Sequence, residues 1–174
     1  MNFSIAKIIK RRQLRQHELS ISWFTWLRLL IGLRSRGLSK TRESGAFLLG
    51  HRDPNGQAKI VDFVLYDDLD PHSLDSGIVR FDGRYFGDLW DLCRRKKLSV
   101  VADVHVHPGS SLQSTSDRQH PMISRSGHLA LILPYFARLP IRRGEIGIYR
   151  YLGGKQWETI PHGQRQHFIK KEFL

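Results

Sequence analysis

The chain predicts an α/β fold of the α+β kind: one domain with a mixed β-sheet flanked by helices. Two observations carry that expectation. Short runs rich in valine, leucine and phenylalanine alternate with longer segments of helical character. The 174 residues suffice for one domain with a sizeable core, and no internal repeat or low-complexity stretch interrupts them.

Taken in order, residues 1–18 read as a basic, helical lead-in and residues 19–36 as an amphipathic helix ended near Gly37. Strands follow at about 44–51 and 58–66, separated by the turn Asp53-Pro54-Asn55-Gly56. Residues 67–76 form an acidic loop, and Ile78–Phe81 reads as a short strand. A helix is expected over about 83–97, then a valine-rich strand from Leu98 to Val106. After a loop over 107–126, Gly127–Pro134 is a continuous apolar run of the kind that makes a buried central strand. Segments 145–151 and 155–160 suggest a hairpin turning at Gly153-Gly154. The chain from Pro161 onward reads as a basic tail or short terminal helix, which sets the body of the domain at 19–160.

Composition narrows the function classes. The net charge of +12 is uneven. Residues 1–42 carry ten Lys/Arg against one acid, residues 43–137 ten against twelve, and residues 138–174 eight against three. The central body is therefore near neutral between two basic ends, which suit an acidic partner or plain solvation. Without a stacking motif or a DNA-binding motif, nucleic acid is not the expected main substrate. The lone Cys93 falls in the expected helix and reads as a partly buried apolar residue. The run from Leu19 to Leu33 contains Arg28 and is too short to span a bilayer, and no signal-peptide pattern is seen, so the expected location is cytoplasmic, with no membrane partner.

Chemistry concentrates in Asp103-Val104-His105-Val106-His107-Pro108-Gly109. Side chains two apart on a strand share a face, so His105 and His107 project together. Pro108-Gly109 ends the strand just past the second histidine, and Asp117 follows after a loop of small polar residues. Two imidazoles and a carboxylate make a three-ligand set with an open fourth position, as in catalytic zinc sites. Upstream, Glu43 stands at the mouth of a strand whose Gly45 and Ala46 permit close backbone approach. Asp103 shares the histidine face as a rival ligand, and reads more naturally as a supporting group or a sheet-edge acid. His120 is an alternative ligand or a loop-orienting group, and His128 reads as a satisfied, partly buried histidine.

Together these residues resemble the JAB/MPN (JAMM) metalloprotease family over roughly residues 19–152. The matching pieces are Glu43, His105-Val106-His107-Pro108 and Ser114-Thr115-Ser116-Asp117, in family order, with a loop from His107 to Ser114 one residue shorter than the commonest eukaryotic form. The resemblance implies one catalytic Zn2+ held by His105, His107 and Asp117. It implies Glu43 as general base for attack by water on an amide or isopeptide carbonyl. Ser114 would donate a hydrogen bond to the developing oxyanion, with Ser116 as the alternative hydroxyl. Within the family the chain looks most like the deubiquitinase-like peptidases of bacterial ubiquitin-like conjugation (Bil) antiphage operons. That implies cleavage after the C-terminal glycine of a ubiquitin-like protein, in a pathway with E1-like and E2-like partners. The bound tail would lie along a strand edge, near Ile78–Phe81 or Ser110–Gln113. Rival readings are a sulfur-carrier processing peptidase, a non-catalytic MPN scaffold and an unrelated His-X-His phosphoesterase.

Overall fold

The computed structural model describes residues 17–37 and 41–173, so residues 1–16 of the expected lead-in lie outside the described residues. Eight strands form one mixed sheet: β1 (Leu19–Ser22), β2 (Gly45–Arg52), β3 (Ala58–Leu65), β4 (Ser99–Val106), β5 (Leu129–Leu133), β6 (Gly147–Gly153), β7 (Gln156–Thr159) and β8 (Ile169–Glu172). Their order across the sheet is β7-β6-β5-β4-β2-β3-β1-β8. Among the described residues four α-helices accompany it: α1 (Trp23–Arg36), α2 (Phe86–Lys96), α3 (Thr115–Gln119) and α4 (His162–Phe168). The expected α+β architecture is the one observed.

Alternation along the strands sorts the core into two layers. On β2, Ala46 and Leu48 join one apolar cluster with Leu29, Leu30 and Leu33 of α1. Phe47 and Leu49 point the other way, into a second cluster with Tyr66, Leu74 and with Leu89 and Cys93 of α2. Opposite β2, β4 places Val104 and Val106 in the first layer. In antiparallel register, Phe47 faces Asp103 and Gly45 faces His105. Polar side chains on β4 therefore share the face of the second layer. Cys93 is buried and unpaired, as its sequence position suggests.

Four expectations need correction. The helix read over 19–36 is two elements. Leu19 and Ile21 alternate with Ser20 and Ser22 in a strand, and the Ser22 hydroxyl then accepts a hydrogen bond from the Thr25 N–H (3.0 Å), starting α1 at Trp23. Ile78–Phe81 is not a strand but an irregular extended segment. The terminal segment does contain the short helix α4, and it then adds β8, which pairs in parallel with β1. The segment read as a loop over 107–126 also contains the short helix α3. Among the described residues, no helix is long and apolar enough to cross a membrane.

Candidate metal centre

The C-terminal end of β4 is where the chemistry gathers, because backbone hydrogen bonds pin it from three sides. Val106 N–H donates to the Ser44 carbonyl and His107 N–H to the Leu133 carbonyl, each at 2.9 Å. The His107 carbonyl accepts from Phe136 N–H (2.8 Å). Phe136 sits in a turn where Tyr135, Phe136 and Ala137 all have φ near +52 to +54°. Three successive non-glycine residues in the left-handed region are costly, so this turn holds local strain beside the site.

Fixed in this way, His105 and His107 bring their Nε2 atoms within 3.0 Å of each other. Asp117 closes the cluster, its Oδ1 3.4 Å from His105 Nε2 and its Oδ2 3.3 Å from His107 Nε2. The Ser-X-X-Asp spacing has a structural meaning here. Ser114 caps α3, its hydroxyl oxygen accepting from Asp117 N–H (3.2 Å) while the Asp117 carboxylate accepts from Ser114 N–H (2.6 Å). That reciprocal cap aims the Asp117 carboxylate at the two imidazoles.

The donor set fits a metal ion. His105, His107 and Asp117 each offer one atom within 4.8 Å of the others. Ligands bonded at about 2.0–2.1 Å around a tetrahedral centre lie ~3.3 Å apart. The measured separations of 3.0 to 3.4 Å match that spacing, and the donors are the nitrogen and oxygen types that zinc accepts. Electrostatics favour the same arrangement. Burial opposes ionisation of Asp117, but hydrogen bonds from His105 and His107, the His105 charge and the Ser114 N–H outweigh it, holding the carboxyl far below the usual carboxylate range. Burial also disfavours charge on His105, yet the Asp117 hydrogen bond and charge prevail and raise its pKa.

Glu43 reaches the cluster from the segment just before β2, with Oε1 3.9 Å from His107 Nε2. Sequence reading missed what holds it there. The irregular segment after Gly77 clamps Glu43 twice: the Gly77 carbonyl accepts from Glu43 N–H (2.9 Å), and Val79 N–H donates to Glu43 Oε2 (3.2 Å). Gly45 is required by close approach. A Cβ there would lie 2.7 Å from Tyr66 Cδ2 and 2.9 Å from the Val104 carbonyl oxygen.

Asp103 belongs to the support of the site and lies on a central strand, which corrects its reading as a sheet-edge acid. It is almost completely buried, with one oxygen 2.6 Å from His128 Nε2 and the other accepting from the Tyr66 hydroxyl (3.3 Å). Burial, reinforced by the Asp103 charge, pushes the Tyr66 hydroxyl well above its ordinary pKa, so it stays a neutral donor. The partnership of Asp103 with His128 spans 25 residues and left no sequence signal. Asp103→Ala strands both partners in the core and is expected to cost about 3 kcal/mol of stability, read as a lowered denaturation midpoint.

Among the described residues, His120 does not join the ligand cluster. It lines, with Val79, Phe81, Phe86, Ser116 and Met122, a groove of about 500 Å³ whose wall includes Asp117. Of the two segments expected near a bound tail, Ser111 is tied down, its hydroxyl donating to the Glu145 carbonyl and its carbonyl accepting from Tyr149. On the other, the N–H groups of Val79 and Arg80 have internal partners, as does that of Asp82 just beyond, while no partner is seen among the described residues for the N–H groups of Ile78 and Phe81.

Known proteins resemble this chain in part. The "Probable metalloprotease y4jG" of Sinorhizobium fredii (strain NBRC 101917 / NGR234) is 31% identical over 67 residues, which is 38% of this chain and 41% of that protein. The chain thus spans about two fifths of the length of the curated relative it matches. No family model matches. Among solved structures, protein DSY2949 from Desulfitobacterium hafniense superposes with a TM-score of 0.61 at 15% identity, covering 89% of this chain and 94% of that one. A protein from Salinibacter ruber (strain DSM 13855) gives 0.50 at 11% identity, over 88% and 91% of the two chains. These structures share the fold. The matched relative bears a metalloprotease name, and this chain carries in His105, His107 and Asp117 a cluster that could hold a metal ion.

Proposed function

We propose that the chain is a JAMM-type zinc peptidase that cleaves after the C-terminal glycine of a ubiquitin-like protein, from its precursor or from a conjugated target. One observation carries the reading: Glu43 stands 3.9 Å from His107 Nε2, beside three converging metal donors. A zinc ion held by His105, His107 and Asp117 would supply Lewis acidity to a carbonyl and to water.

The remaining chemistry falls to the chain's own side chains. Glu43 takes a proton from the attacking water and returns it to the departing amine. Val79 N–H engages Oε2, leaving Oε1 as the oxygen nearer the donors. The Ser114 oxygen accepts from Asp117 N–H, so its own proton is available for the oxygen that becomes negative. Ser116 lies in the wall of the groove beside Asp117 and is the alternative donor. The groove, with Phe81, Phe86 and Met122, is suited to an apolar residue of the substrate tail, and the Phe81 N–H to its backbone. E1-like and E2-like partners, an antiphage setting and a cytoplasmic location belong to the same reading and rest on the sequence resemblance.

The test is incubation with a ubiquitin-like protein extended past its terminal glycine, with products read by mass. Cleavage at the glycine, lost on chelation and restored by zinc, is expected. Cleavage indifferent to metal removal would contradict the reading.

A further inference from the structure

At the other end of β4, away from the metal donors, lies a cavity of about 590 Å³ lined by polar and cationic side chains. Val100 and Val101 of β4 are in its wall, four or more residues before His105, and His128, the buried partner of Asp103, lines it from β5's side. We propose that this cavity binds a small phosphate ester of mononucleotide size.

Charge is the first argument. Three arginines line the cavity, Arg52, Arg125 and Arg150, against one acid, Glu18. Arg150 is committed, its guanidinium bridging Glu18 (2.8 and 3.0 Å) and Glu158 (2.9 Å). Arg52 donates only to the backbone carbonyls of Gly56 (2.6 Å) and Val101 (3.3 Å), which orient it without neutralising it. Arg125 has no ion pair or side-chain hydrogen bond among the described residues. Two guanidinium groups therefore face one cavity with their charge uncompensated, and planar guanidinium forks match phosphate oxygens.

The rest of the lining is the second argument. His17, where the described chain begins, lines the same cavity. The side chains of Asn55 and Ser126, also in the lining, make no hydrogen bond among the described residues and are available to a ligand. The volume lies in the range of small-molecule sites and is far too small for a protein segment of any length.

Calorimetric titration of the whole protein with adenosine monophosphate tests the proposal, with inorganic phosphate as competitor and adenosine as the phosphate-free control. Expected are saturable binding of the monophosphate, displacement by inorganic phosphate and no binding of adenosine. Arg125→Glu should weaken binding tenfold or more, whereas Arg95→Glu, an exposed charge on α2 outside the cavity, should leave it within twofold. The Arg125 side chain has no partner among the described residues, and its carbonyl bond from His128 N–H is kept in the variant, so an unchanged thermal midpoint is expected. Absence of monophosphate binding at millimolar concentration overturns the proposal, and so does binding that Arg125→Glu leaves intact. Peptidase activity is not read in this experiment, so its outcome is separate from that of the zinc site.

Discussion

If the proposed function holds, Glu43→Gln is expected to lower hydrolysis of the extended ubiquitin-like substrate by about 10²–10⁴-fold while zinc content stays near that of the wild type. The asymmetry follows from placement. Glu43 is not one of the three converging donors, so the amide keeps the site assembled. Its Oε2 accepts from Val79 N–H, a bond the amide oxygen can also accept, so the clamp on the irregular segment survives. What is lost is the basicity of the oxygen near His107. Steady-state rates beside metal analysis of the same samples check the prediction. A variant that loses zinc and activity together would make Glu43 a structural residue of the site.

His105→Ala is expected to remove metal binding and activity together. The imidazole is buried on β4 and supplies one of three donors, and Asp117 is held ionised largely by its hydrogen bonds from His105 and His107. Changing a residue that merely supports a ligand costs about 10–100-fold in metal affinity, and loss of a ligand itself should exceed about 100-fold. A zinc-chelator competition titration reads this directly. Retention of wild-type affinity would mean that the metal is held elsewhere.

Much of the site was legible in the sequence because its geometry is local. Strand period two put His105 and His107 on one face, Pro108-Gly109 fixed the strand end, and the Ser-X-X-Asp spacing is that of a helix cap. The fold was legible where segments were long and patterned, as in β2, β4 and α2. It failed at β1 and β8, four-residue strands that gain their identity by pairing with each other and, for β1, with β3. Such short strands carry too few alternations to stand out from an adjoining helix. The clamp by Gly77 and Val79, the burial of Asp103 against His128 and Tyr66, and the cationic cavity depend on contacts between distant parts of the chain. No window of sequence displays them.

The central claim is that His105, His107 and Asp117 hold one zinc ion. Its most direct test is zinc content per chain after loading and exhaustive dialysis, compared between the wild type and His105→Ala/His107→Ala. The account predicts one equivalent in the wild type and none in the double variant. One equivalent retained by the double variant, or none bound by a folded wild type, would contradict it.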